Sequence, residues 1–208
     1  MTVSVGINAK NKKDFIAQLL RARKNLPKGT SLHIDVSDRG FSNIKSYFDV
    51  GELKKYSGYF KFEAHLMVPR ESLFKYFKKP LKKAWVHISE IKNWESILAK
   101  AKKSKISLGV AIGINELKYK DGIPKNIGSI LVLAVKPGPS GQKFGKKSLN
   151  LISFLSKKYP YAKIYVDGGI TLKTAERVKG LGVRNVVSTS YIWGAKNPAN
   201  QYRILRKI

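Results

Sequence analysis

A few polar side chains in apolar runs mark where this chain has the means to do chemistry. In SLHIDVSD, residues 31–38, His33 and Asp35 stand two apart in a short β-branched stretch. On a strand that spacing points both side chains to the same side. An inward-facing charge there is costly unless it is paired or bound to a metal. A second stretch, KFEAHLMV, carries His65, and a third, AKIYVDGG, carries Asp167 followed by two glycines. Two histidines and two carboxylates form a nitrogen and oxygen donor set suited to one divalent ion such as Zn2+, Fe2+, Mn2+ or Co2+. Spacing alone does not bring the four together. His87, in AWVHISE, reads from spacing as a packed core histidine, with a supporting role beside a metal ligand as the alternative.

Glycine-rich turns form the second group. KPGPSGQKFG, residues 136–145, follows one apolar run; Gly168 and Gly169 follow another; Thr189 and Ser190 end a third. Glycines let backbone approach a ligand closely and adopt unusual dihedrals. Each is an ordinary turn when taken singly. Together, after three successive strands, they read as a phosphate site built from main-chain N–H groups and a helix start.

These residues need a scaffold. Short β-rich runs alternate with amphipathic, lysine-bearing stretches. Strands are expected at residues 3–8, 31–38, 61–68, 84–90, 107–113, 129–137, 162–169 and 185–190. Helices are expected at 14–26, within 42–55, at 71–77, 94–103, 148–159 and 171–182, and at the end of the chain through Tyr202 and Leu205. Such alternation predicts a parallel sheet. A doubly wound nucleotide-binding sheet needs a glycine-rich turn after its first strand, whereas VSVGIN is followed by AKNKKDF. The expected fold is therefore α/β: a (β/α)8 TIM barrel forming one domain over residues 1–208. Its site belongs at the C-terminal ends of the strands.

Composition sets the outer bounds. The chain has 208 residues, 43% of them hydrophobic, and no cysteine, which excludes disulfides and thiolate metal sites. The start, MTVSVGINAKNKKDF, lacks the pattern of a signal peptide, and no apolar run reaches the ~20 residues of a membrane helix. A cytoplasmic protein without membrane association is expected. Lys and Arg number 41 against 13 Asp and Glu, a net charge of +28. Compositional bias, steering of an anionic substrate and nucleic-acid binding each account for such a charge. The lysines are scattered along the whole chain instead of forming one dense arm, which argues against nucleic acid.

With these residues in view, the chain resembles the ribulose-phosphate 3-epimerase family. HIDVSD is similar to the family's His-Val-Asp-Val-Met-Asp strand, AHLMV to His-Leu-Met-Val, VKPGPSGQKF to Asn-Pro-Gly-Phe-Gly-Gly-Gln-Lys-Phe, and VDGGI to Val-Asp-Gly-Gly-Ile. The four motifs occur in order over nearly the whole chain. Related decarboxylases carry Asp-x-Lys-x-x-Asp, and Ser37 stands at the lysine position here.

The resemblance implies an isomerase of the pentose phosphate pathway that interconverts D-ribulose 5-phosphate and D-xylulose 5-phosphate by moving the C3 proton. It implies metal ligation by His33, Asp35, His65 and Asp167, with Asp35 and Asp167 also the acid/base pair. It further implies substrate and phosphate contacts from Asn8, His65, Gly168, Gly169, Thr189 and Ser190, and a covering loop of Gly138, Pro139, Ser140 and Gly141. The partner is then a ketose phosphate, and the family often forms homo-oligomers. The departures fall mostly around the substrate. Ser37 and Leu133 replace two site methionines while Met67 stays; Arg39 replaces a glycine; Lys136, Pro139 and Ser140 alter the loop; Ser89 replaces an acid. Asn8 stands for a serine and Thr189 for a glycine, a change that a position requiring positive φ would resist. These departures leave two alternatives beside the main reading: an epimerase of a related ketose phosphate such as allulose 6-phosphate, and a non-catalytic phosphosugar-binding barrel.

Overall fold

Buried on both faces, the strands of this chain can close on themselves and remove their own edges. A computed structural model, described here for residues 1–38, 40–41, 45–135 and 141–208, contains eight strands in a closed barrel ordered β1 to β8 in sequence. They are β1 (Thr2–Ile7), β2 (Ser31–Ser37), β3 (Lys61–Met67), β4 (Leu81–His87), β5 (Ser107–Gly113), β6 (Ser129–Leu133), β7 (Lys163–Asp167) and β8 (Asn185–Ser188). The pairs β1–β8, β2–β3, β3–β4, β5–β6, β6–β7 and β7–β8 are parallel. Helices α1 (Lys12–Asn25), α2 (Val50–Lys55), α3 (Trp94–Lys103), α4 (Ser148–Lys158), α5 (Leu172–Lys179), α6 (Ser190–Trp193) and α7 (Pro198–Lys207) alternate with them. Short 3-10 segments at Arg70–Tyr76, Ile88–Glu90 and Ile114–Gly122 fill the remaining connections. The (β/α)8 barrel expected from the alternation is the observed fold.

Two compact units make up the chain: residues 6–108, and residues 1–5 with 109–208. In the first, Ser31 is level with Lys61, His33 with Glu63, Asp35 with His65 and Ser37 with Met67. Alternation along β2 places Leu32, Ile34 and Val36 on one side and His33, Asp35 and Ser37 on the other. Phe15, Leu19 and Ala22, the buried stripe of α1, and Leu53 of α2 belong to this unit's core. In the second, Leu131 is level with Tyr165 and Leu133 with Asp167, while Asp167 is level with Val187 on the next strand. Its core holds Leu151, Ile152 and Leu155 of α4, Ala175 and Val178 of α5, and Tyr202 and Leu205 of α7.

Several boundaries differ from those read in the sequence, each for a local reason. Helix α2 starts at Val50, because Asp49 accepts from the N–H groups of Gly51 and Glu52 at 2.7 and 3.3 Å and so caps the helix there. Strand β4 begins at Leu81 instead of 84, with exposed Lys82 breaking the apolar pattern that would have revealed its first turn of pleat. Residues 88–90 coil into a 3-10 turn. Strand β6 ends at Leu133, and Ala134 still donates to the Asp167 carbonyl at 2.7 Å; residues 136–137 of the expected strand lie outside the described residues.

Candidate active site

The first unit supplies three of the proposed ligands from two neighbouring strands. His33 is fully buried, and its Nδ1 lies 2.9 Å from Glu63 Oε1, which is buried as well. Its other nitrogen, Nε2, lies 3.8 Å from Asp35 Oδ1. The same carboxylate oxygen is 3.3 Å from His65 Nδ1. The opposite nitrogen of His65, Nε2, lies 3.0 Å from His87 Nε2, and the two rings stack with centroids 5.1 Å apart. Each candidate histidine therefore has one nitrogen facing Asp35 and the other held from behind. Burial pushes the His65 imidazole down to about 4, against the pull of Asp35 in the other direction. At neutral pH the ring is uncharged, the form that ligates a metal. The backbone around Asp35 is braced by Ser46, whose hydroxyl donates to the Asp35 carbonyl at 2.8 Å and accepts from the Ser37 N–H at 2.7 Å.

Glu63 and Ser46 are the contributors that sequence reading passed over. For Glu63 a signal existed: it precedes His65 by two residues in a strand and so shares its side. Ser46 has no comparable signal, since it comes from the stretch between β2 and α2. His87, which spacing alone assigns to core packing, is buried but also sits against a candidate ligand. Asn8 follows β1 directly, and its backbone is clamped by Gln18, which accepts from the Asn8 N–H at 3.2 Å and donates to its carbonyl at 3.1 Å.

Asp167 closes β7 in the second unit. The two glycines after it are structurally required. Gly168 has φ +100, and a Cβ there would lie 2.5 Å from a Val135 methyl; Gly169 has φ +63, and a Cβ there would lie 2.4 Å from the Phe144 nitrogen. Thr174 Oγ1 donates to the Gly169 carbonyl at 3.0 Å, and the Thr171 side chain caps α5. Gly169, Ser190 and Gly141 line a cleft of about 390 Å3, together with Lys143, Thr171 and Tyr191. Thr189 has φ −114, so threonine meets no left-handed strain where the resembling family carries glycine. Gly138, Pro139 and Ser140 of the expected covering loop, with Lys136 and Arg39, lie outside the described residues.

The residues that could hold a metal ion are His33, Asp35 and His65 of the first unit and Asp167 of the second. Two imidazole nitrogens and two carboxylate oxygens suit a divalent cation. The fold and this donor set together define a class: a (β/α)8 barrel with a His and Asp group that could hold a metal ion.

Comparison with known proteins narrows the class. The ribulose-phosphate 3 epimerase family model matches residues 9–193. A rice protein named ribulose-phosphate 3-epimerase, cytoplasmic isoform, is 31% identical over 188 residues, covering 85% of this chain and 81% of its own. The Methanocaldococcus jannaschii ribulose-phosphate 3-epimerase is 29% identical, with coverage of 84% and 77%. Among solved structures, 3-keto-L-gulonate-6-phosphate decarboxylase from Vibrio cholerae superposes with a TM-score of 0.70 at 13% identity, covering 99% of this chain and 95% of that one. The 3-hexulose-6-phosphate synthase of Salmonella typhimurium gives 0.67 at 15%, covering 100% and 97%. At such identities these structures bear on the fold alone. The chain belongs to the ribulose-phosphate 3-epimerase family and is an enzyme of the isomerase class. No described helix is long and apolar enough to cross a membrane.

Proposed function

We propose that this protein interconverts D-ribulose 5-phosphate and D-xylulose 5-phosphate in the cytoplasm by moving the C3 proton, with Asp35 and Asp167 as the acid/base pair. The observation that carries this reading is the His2Asp2 group in a chain of this family. Inverting one carbon by this route requires a proton taken from one side and returned from the other, a pair of roles that two carboxylates can fill. His33, Asp35, His65 and Asp167 would hold the divalent ion, Zn2+, Fe2+, Mn2+ or Co2+, which supplies charge stabilisation to the enediolate oxygens. The carboxylates move the proton at C3. His33 and His65, backed by Glu63 and His87, orient the donor set. Asn8 and His65 contact the sugar. Gly168, Gly169, Thr189 and Ser190 receive the phosphate on main-chain N–H groups, and the loop of Gly138, Pro139, Ser140 and Gly141 covers the intermediate and excludes water.

The test is turnover of ribulose 5-phosphate in a coupled xylulose 5-phosphate assay, with each metal and with a chelated control. Metal-dependent turnover is expected. Asp35→Asn and Asp167→Asn should each lower kcat by at least about a hundredfold while the fold survives. Near-normal turnover in either variant would refute the two-carboxylate mechanism. One feature favours a second substrate. Buried Ser37, beside Met67 in register, is smaller than the methionine the family places there, so a larger ketose phosphate such as allulose 6-phosphate should be assayed in parallel.

A further inference from the structure

The charge of +28 is not absorbed by a site for one small anion, and in the unit of residues 6–108 its placement is ordered. Parallel strands alternating with helices return the chain to the same end before every strand. In this unit those returning connections carry lysine and arginine and no acid: residues 22–31, 53–62, 75–83 and 100–108 contain neither Asp nor Glu. The acids of the unit lie elsewhere. Asp14, Asp49, Glu52, Glu71 and Glu95 cap or open helical segments. Asp35 and Glu63 lie within strands, and Asp38 and Glu90 follow strands. The acids are therefore segregated along the strand direction: lysines stand at both ends, but at the strand-N-terminal end they have no acid beside them in these connections.

Complementing helix dipoles explains part of this. Arg23, Lys24, Lys54, Lys102 and Lys103 end helices, where a cation is favourable. It does not explain Lys28, Lys61, Lys78, Lys79, Lys82 and Lys105, which are exposed and outside any helix. Strand register sets the strand ends that carry them next to one another: Ser31 is level with Lys61, and Phe62 with Leu81, on strands about 4.8 Å apart. Lys79 Nζ reaches the Lys105 carbonyl at 2.7 Å, which ties the fourth connection to the third. Lys105 itself takes φ +53, a conformation glycine adopts at lower cost, and the chain places a cation there all the same. The face also holds an aromatic platform: the Arg23 guanidinium lies 3.7 Å over the Tyr59 ring. Among the described residues of this unit, the exposed large apolar side chains are Leu20, Phe74 and Leu98, and all lie outside residues 26–30, 56–60, 77–80 and 104–106.

We infer that the strand-N-terminal face of residues 6–108, built from Lys28, Lys61, Lys79, Lys82 and Lys105 around the Arg23–Tyr59 stack, binds single-stranded nucleic acid through its phosphates. Adjacent cations with a stacked arginine and tyrosine are the chemistry that a single strand meets in sequence-tolerant binding. The face lies about 13 Å along β2 from Asp35, from the rise of a strand, so it operates apart from the candidate active site.

The test is fluorescence anisotropy of a labelled single-stranded RNA of about 20 nucleotides with the full-length protein. With about five phosphates engaged, affinity should fall about a hundredfold between about 50 and 200 mM salt. The variant Lys28→Glu/Lys61→Glu/Lys82→Glu should bind at least tenfold more weakly and show a shallower salt slope, with sugar-phosphate turnover unchanged. Lys12→Glu/Lys13→Glu/Lys92→Glu, which has the same net charge but reverses lysines at the other end of the unit, should bind almost as the parent does. Equal losses in the two variants would overturn the inference and reduce the effect to net charge. So would absence of RNA binding at about 50 mM salt, or capture by phosphatidylserine vesicles without binding to RNA.

Discussion

Glu63 and His87 give the residue scale its content. A ligand imidazole whose second nitrogen is held by a carboxylate or another ring has its tautomer and plane fixed before the metal arrives. On the metal reading, Glu63→Leu should weaken metal affinity about tenfold to a hundredfold with the fold retained, while Glu63→Gln, which keeps an acceptor at Oε1, should lose much less. Competition with a chromogenic chelator measures both. His65 makes a separate prediction about stability. Its folded-state value, about 4, lies below the ordinary 6.5, so between those values the unfolded chain binds the proton and the folded chain does not. Metal-free protein should keep the full contribution above pH 6.5 and lose about 3 kcal/mol as the pH falls toward 4. Denaturant midpoints across that range, compared with His65→Asn, check it; equal slopes for parent and variant would count against a buried neutral imidazole.

At the scale of elements, the turn after β7 carries the tightest demand. Gly169 combines positive φ with a neighbouring backbone nitrogen 2.4 Å from where a Cβ would be. Gly169→Ala should cost at least about 2 kcal/mol, read as a lowered Tm, because strain and a backbone clash add. The neighbouring Thr189 shows the converse. Both positions end strands and look equivalent in sequence, but only the first requires a left-handed backbone, so threonine is tolerated at φ −114. Boundaries that sequence misplaced turn on similar local details: the Asp49 cap that begins α2 late, and the lysines that hide the first residues of β4. Element type followed from hydrophobic period, whereas element ends were set by single hydrogen bonds.

For the whole molecule, the expectation of one domain over residues 1–208 predicts a single cooperative transition in urea, coincident by circular dichroism and tryptophan fluorescence. Two resolved transitions would instead assign separate stabilities to the two compact units.

The sequence by itself determined the barrel, the family and the identities of the four candidate ligands, because strand alternation, missing glycine signals and ordered motifs are local properties. It also favoured a core role for His87 and scattered, unremarkable lysines. Tertiary structure keeps His87 buried and adds its contact with His65. Strand register laid Glu63 against His33, and side-chain packing set His87 against His65, neither of which any spacing along one strand can specify. In the same way, lysines far apart in sequence gather at one end of residues 6–108, because every helix returns the chain to the start of the next parallel strand. Distance along a chain and distance in space are related only through the register and direction of its elements.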